Sequence, residues 1–158
     1  MSETIRIAQQ MKQGFEKDCW SGPSLLEVLD GVDHKMASAK PIPNAHTIWE
    51  IVMHLIAGQS LMLRMVQGDI AQRVAVGDWW YDVPKPTKAN WTATLARLKK
   101  QEKELQKAVA KFPDDRLETP LVEGGRSAYN NLHGHVQHTL YHAGQILMLK
   151  KALGTKQQ

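Results

Sequence analysis

Apolar residues recur every three or four positions through most of this chain, the spacing that lines one face of a helix, and no stretch alternates long enough to predict a half-buried strand. Residues 3–19 place Ile5, Ala8, Met11, Phe15 and Cys19 at such intervals before Ser21, Gly22 and Pro23 break the run. Shorter helical turns follow up to Pro41. A second long helix opens at Thr47, because Thr47-Ile48-Trp49-Glu50 fits a capping box, in which two side chains satisfy free amides of the first turn, and Gly68 is its natural stop. Residues 88–111 carry Trp91, Leu95, Leu98, Glu102, Leu105 and Val109, continued by Phe112, as one seam that Pro113 ends. The fourth helix runs from about Ser127 to Leu153, with Leu132, Val136, Thr139, Ala143, Ile146 and Leu153 inward and Gly154 as terminator.

Four amphipathic helices must bury their stripes against one another, and the simplest arrangement is an all-α four-helix bundle spanning residues 1–158 as one domain. The connection from Asp69 to Pro86 is long for such a bundle and carries Trp79, Trp80 and Tyr81. Those rings either cap a pocket or plug the end of the bundle. A single cysteine, Cys19, rules out an internal disulfide; at the end of the first apolar stripe it reads as a small buried hydrophobe. No charged-then-apolar leader and no apolar span of ~20 residues opens the chain, so a soluble, cytoplasmic protein without a membrane partner is expected. The formal charge of +4 does not point to nucleic acid, because the lysines of 97–111 are interspersed with Glu and Gln on an outer helix face.

The chemistry lies in the histidines. His138 and His142 are one helical turn apart, so both imidazoles share a face and one ion can be gripped without backbone distortion. His54 sits on the second long helix, and two ligands on one helix with one on another make a three-nitrogen site with a position left for water or substrate. His135 also falls in this sector, so geometry allows His135/His138 as well as His138/His142 for the chelating pair. All three cannot serve, because seven residues of helix separate His135 from His142 by about 10 Å along the axis. His133 faces away, and His34 and His46 read as surface groups. Gly58 and Gly134 each stand one turn from a histidine of interest and each weakens its helix by about 1 kcal/mol relative to Ala, which close helix approach or room for a ligand would offset.

Glu102 is the charged member of an otherwise apolar seam. It either reaches the ion as a fourth ligand or acts as a base there, or else Lys99 and Lys103 hold it at a wet edge. Glu50, one turn before His54, is explained by the capping box, with a supporting role toward His54 as the alternative.

The segments Trp20–Leu25 (WSGPSL), Pro41–His54 (PIPNAHTIWEIVMH), Asp78-Trp79, Phe112–Leu117 (FPDDRL) and above all Leu132–Leu153 (LHGHVQHTLYHAGQILMLKKAL) resemble the DinB-like family, the DinB/YfiT superfamily of small bacterial four-helix-bundle metalloproteins. The resemblance covers nearly the whole chain, and His-x-x-x-His followed by Ala-Gly-Gln-Ile is its most specific part. It implies an up-down-down-up bundle, often dimeric, with His54, His138 and His142 holding a divalent ion such as zinc or nickel. It also implies metal-dependent chemistry on a small-molecule substrate, either transfer involving a low-molecular-weight thiol or hydrolysis, with a non-catalytic metal-binding stress-response or sequestration module as the alternative. The chain departs from that pattern at Ser21, Glu102, His135 and Thr139, where histidine, histidine, an aliphatic residue and aspartate are frequent.

Overall fold

A computed structural model describes residues 1–70 and 80–154. Their regular structure is helical: α1 (Glu3–Phe15), α2 (Leu25–Leu29), α3 (His34–Ser38), α4 (Ile48–Gln67), α5 (Lys88–Ala110) and α6 (Ala128–Ala152), with a 3-10 turn at Asp114–Arg116. The extended pairing among them is one isolated antiparallel bridge, Pro120 with Ser127. The long helices pack in a ring, α1 against α5 and α6, and α4 against the same two from the other side. The short α2 lies on α6, and α3 on α4 and α5.

The element boundaries follow local chemistry. At the start of α4 the Glu50 amide donates to Thr47 Oγ1 (3.1 Å) and the Thr47 amide to Glu50 Oε2 (2.6 Å), the reciprocal cap that the sequence predicts. Gly68 ends that helix at φ 80°, a left-handed conformation that glycine adopts without steric penalty. The start of α1 is tied to the turn after α5: Asp114 accepts from the amides of Glu3 (2.9 Å) and Thr4 (3.1 Å) and from the Thr4 hydroxyl (2.8 Å).

Two expectations are corrected here. The first helix stops at Phe15 instead of reaching residue 19, with Asp18 at φ 66°, so its buried stripe is Thr4, Ile7, Met11 and Phe15 while Ile5 is 38% exposed. Cys19 therefore lies in the following loop, only half-buried, with Sγ 3.3 Å from Ser21 Oγ. In α6 the inward line is Ala128, Leu132, His135, Thr139, His142, Ile146 and Leu149, a four-three alternation that replaces Val136 and Leu153 by two histidines and Leu149.

That rotation divides the core. One apolar cluster contains Trp49, Leu55, Ile56, Leu98, Ala143 and Ile146; the other contains Ile7, Met11, Leu105, Val109 and Leu132, with Met62 against it. Between them, on three successive helices, stand Gln59 of α4, Glu102 of α5, and His135 and Thr139 of α6, all buried. In the first cluster Trp49 donates to Thr94 Oγ1 (3.2 Å) and Trp91 to the Val32 carbonyl (2.8 Å), so both buried indoles place their polar edge while stacking edge-on at 5.0 Å. No helix among the described residues is long and apolar enough to cross a membrane.

Candidate metal centre

His54 reaches inward from the middle of α4, and His138 and His142 face it from successive turns of α6. His138 Nε2 lies 2.9 Å from His54 Nε2 and 3.1 Å from His142 Nε2, and the ligand-type atoms of the three residues all fall within 4.8 Å of one another. This decides between the two chelating pairs that spacing leaves open. His142 joins the cluster, and His135 turns to Glu102 instead, with Nε2 3.2 Å from Oε2. Gly58 faces the His138 ring, and a Cβ there would stand 3.6 Å from His138 Cε1, an ordinary contact that does not itself require glycine. Gly134 has no neighbour within 4 Å of that position, and its expected role beside the histidines has no counterpart.

The protonation arithmetic shows what this cluster is suited to. His142 Nδ1 lies 2.6 Å from Gln145 Oε1, an acceptor, which fixes the proton on Nδ1 and leaves a lone pair on Nε2. His138 Nε2 carries at most one proton and cannot donate it to both neighbours, so hydrogen bonding alone satisfies one of the two close contacts. A cation could be shared by all three nitrogens. Ligands ~2.1 Å from one ion stand roughly 3–3.4 Å apart in tetrahedral or octahedral geometry, close to two of the separations, and the remaining pair, within 4.8 Å, would draw in around the ion. The electrostatics agree: burial, reinforced by His142 and His54, pushes the His138 pKa down to about 3, and burial also takes His142 down to about 4. Both rings are neutral at pH 7, the form that ligates.

Around the cluster, Trp80 stacks on His54 at 4.4 Å and 14°, and His46 stacks on the opposite side of this column, 3.4 Å from Trp80 at 6°. Trp80 thus lies against the histidines and also packs on the apolar core cluster of Trp49, Leu98 and Ile146. Tyr81 is 52% exposed and lines a different cavity, of about 420 Å³, with Met53, Arg64 and Arg97. Trp79 and Asp78 lie outside the described residues. Two further side chains stand behind the cluster. His46 is exposed, as the sequence predicts, and covers Trp80, and Gln145 Oε1 lies 2.6 Å from His142 Nδ1; the i+3 spacing of Gln145 from His142 is the signal for it in the sequence.

Glu102 is 1% exposed and far from a wet edge. Its Oε2 accepts from Gln59 Nε2 (3.0 Å) and faces His135, and its Oε1 accepts from Gln106 Nε2 (3.2 Å). The carboxylate is therefore occupied by three helices' polar groups, one layer below the three histidines, and the cluster of atoms able to share an ion comprises His54, His138 and His142 without it.

The helices pack in a ring, and three imidazoles that could share a metal ion converge from two of them. The profile of the DinB superfamily matches residues 20–146, a span that contains all three histidines, and the chain belongs to that superfamily. No curated protein and no solved structure matches it significantly.

Proposed function

We propose that His54, His138 and His142 bind one divalent metal ion, zinc or nickel, and that the protein is a metal-dependent enzyme acting on a small molecule, as a thiol-dependent S-transferase or a hydrolase. The four long helices then form the up-down-down-up bundle of the superfamily around that site. The observation that carries this reading is the convergence of the ring nitrogens of His54, His138 and His142 within 4.8 Å of one another, with His138 Nε2 close to both of the others. A divalent ion held there supplies Lewis-acid chemistry, polarising a substrate atom or acidifying a nucleophile that binds beside the three nitrogens. The residues do the positioning. Gln145 keeps the His142 lone pair turned inward, and Trp80 holds the plane of His54 from behind. A three-nitrogen donor set without thiolate favours a working site over a structural one, since structural zinc is normally fully ligated and usually includes cysteine. Glu102 serves in this reading as a buried carboxylate that ties α4 and α6 to α5 beneath the site, with a base role toward the reaction as the second assignment.

The test begins with stoichiometry. Tag-free protein should bind one cobalt(II) ion; His138→Ala and His142→Ala should each abolish stoichiometric binding, and His135→Ala should leave it. A small thiol such as dithiothreitol should then change the visible spectrum of the cobalt protein, less so as pH falls and the thiol protonates. Hydrolysis would show instead as turnover of esters or amides with water alone. A cobalt spectrum indifferent to thiols and anions, with no turnover of electrophiles or esters, would leave the non-catalytic binding module as the function.

A further inference from the structure

A cavity of about 650 Å³ lies between the segment before α4, the start of α4 and the last turns of α6. Its walls include Ile42, Ile51, Tyr141, Met148 and Leu149, its polar groups are Asn44, His46 and Gln145, and no Asp, Glu, Lys or Arg lines it. The volume is that of a small-molecule site, and an uncharged lining of aliphatic, thioether and phenolic groups matches an uncharged guest. Three of its apolar groups are left facing solvent: Tyr141 is 65% exposed, Met148 60% and Ile42 41%.

Gly144 stands in the middle of α6 and lines the cavity, and a Cβ built on it meets nothing within 4 Å among the described residues, so a larger side chain there takes up the open space of the cavity.

Two routes run from this cavity to the metal centre. Gln145, in its wall, accepts from His142 Nδ1 at 2.6 Å, and the neighbouring Tyr141 ring meets the same imidazole edge-on at 5.2 Å. His46, in the opposite wall, stacks on Trp80, which stacks on His54. A guest that moves Gln145 or His46 therefore bears on two of the three ligands from behind.

We propose that this cavity is a binding site for an uncharged, largely apolar small molecule, and that its occupancy changes the affinity of the histidine cluster for its metal. The first half stands on the cavity alone; the second rests on the metal-binding reading above. Nile red, a neutral apolar dye, is a suitable probe by fluorescence titration. Wild type should bind one dye saturably. Gly144→Leu, which places an isobutyl group into the cavity, should weaken that binding at least tenfold, while Gly134→Leu, on the same helix outside the cavity, should leave it unchanged with both variants equally helical. Zinc affinity should shift at least threefold when the dye is saturating, and dye affinity should shift by the same factor on zinc loading, because coupling between two sites is reciprocal. Equal dye binding in the wild type and Gly144→Leu overturns the site. A dimer in sedimentation equilibrium that dissociates in Gly144→Leu, with dye bound only by the monomer, overturns it too and assigns the face to a second copy of the chain. Zinc affinity unmoved by saturating dye overturns the coupling. Should zinc fail to bind at all, the metal reading falls by itself, and the dye comparison still decides the site.

Discussion

One hydrogen bond sets the chemistry of His142. With Gln145 Oε1 at 2.6 Å from Nδ1, the imidazole is held as the tautomer whose Nε2 lone pair faces His138 and His54. Removing an acceptor of this kind typically weakens metal binding ~10–100-fold. Gln145→Leu should show that loss in a cobalt titration with one-to-one stoichiometry retained, and Gln145→Glu, which keeps an acceptor, should recover most of it; an unchanged affinity in Gln145→Leu would show that the tautomer is set elsewhere. The same histidines determine how metal-free protein responds to acid. Their pKa values are lowered by folding, to about 3 for His138 and about 4 for His142 from 6.5, so below pH 6.5 the unfolded chain takes up protons that the folded one refuses. Stability contributed by the neutral rings is complete above 6.5 and is lost as pH falls toward 4 and 3. The urea midpoint of metal-free protein should therefore drop between pH 7.5 and pH 5, and a His138→Gln, His142→Gln double variant should show a smaller drop. A midpoint as high at pH 5 as at 7.5 would mean the rings are not held neutral.

At the scale of the element, α6 carries both the site and a marked local weakness. It contains two interior glycines, Gly134 and Gly144, and neither is required by a neighbour within 4 Å. Gly134 lies outside the cavity that Gly144 lines, so Gly134→Ala should stabilise the protein by up to about 1 kcal/mol in chemical denaturation, with cobalt binding unchanged. A loss of stability would reveal a contact that the missing Cβ protects. The seam of α6 was half legible. Leu132, Thr139, Ala143 and Ile146 were expected inward and are, but hydrophobicity favoured Val136 where packing buries His135. The reason is Glu102: a carboxylate inside the ring of helices needs polar partners from the helices around it, and His135 and Gln59 turn in to supply them. In α1, apolar spacing ran on to Cys19, but a helix needs backbone as well as pattern, and Asp18 in the left-handed region interrupts it.

For the whole molecule, the division of the core decides what the metal does. Two apolar clusters are separated by the layer of Gln59, Glu102, His135 and Thr139, with the three-histidine cluster above it. On the proposed function, a metal ion would join α4 to α6 in the folded state alone and so add stability by mass action, about 2.7 kcal/mol at a free metal concentration 100 times Kd. For a chain of this length that corresponds to a rise in melting temperature of roughly 5–10 °C. Differential scanning fluorimetry of zinc-loaded protein against the same protein with EDTA measures it, and His142→Ala should abolish the difference. An EDTA effect that survives in His142→Ala would place the metal elsewhere.

The sequence by itself determined the helical class, the existence of the four long helices and the caps at Thr47 and Gly68, because these are written in local periodicity and in the residues that close a helix end. Helical pitch left both His135/His138 and His138/His142 open, and only the resemblance to the family favoured the second. Tertiary structure decided that His135 turns to Glu102, that Glu102 is buried and shared among three helices instead of lying at a wet edge, and that His46 and Gln145 stand behind the rings of the cluster. Those outcomes depend on which face of one helix meets which face of another. Contacts between residues 43 and 84 positions apart, as in Gln59 with Glu102 and His54 with His138, are set by the packing of all the elements together.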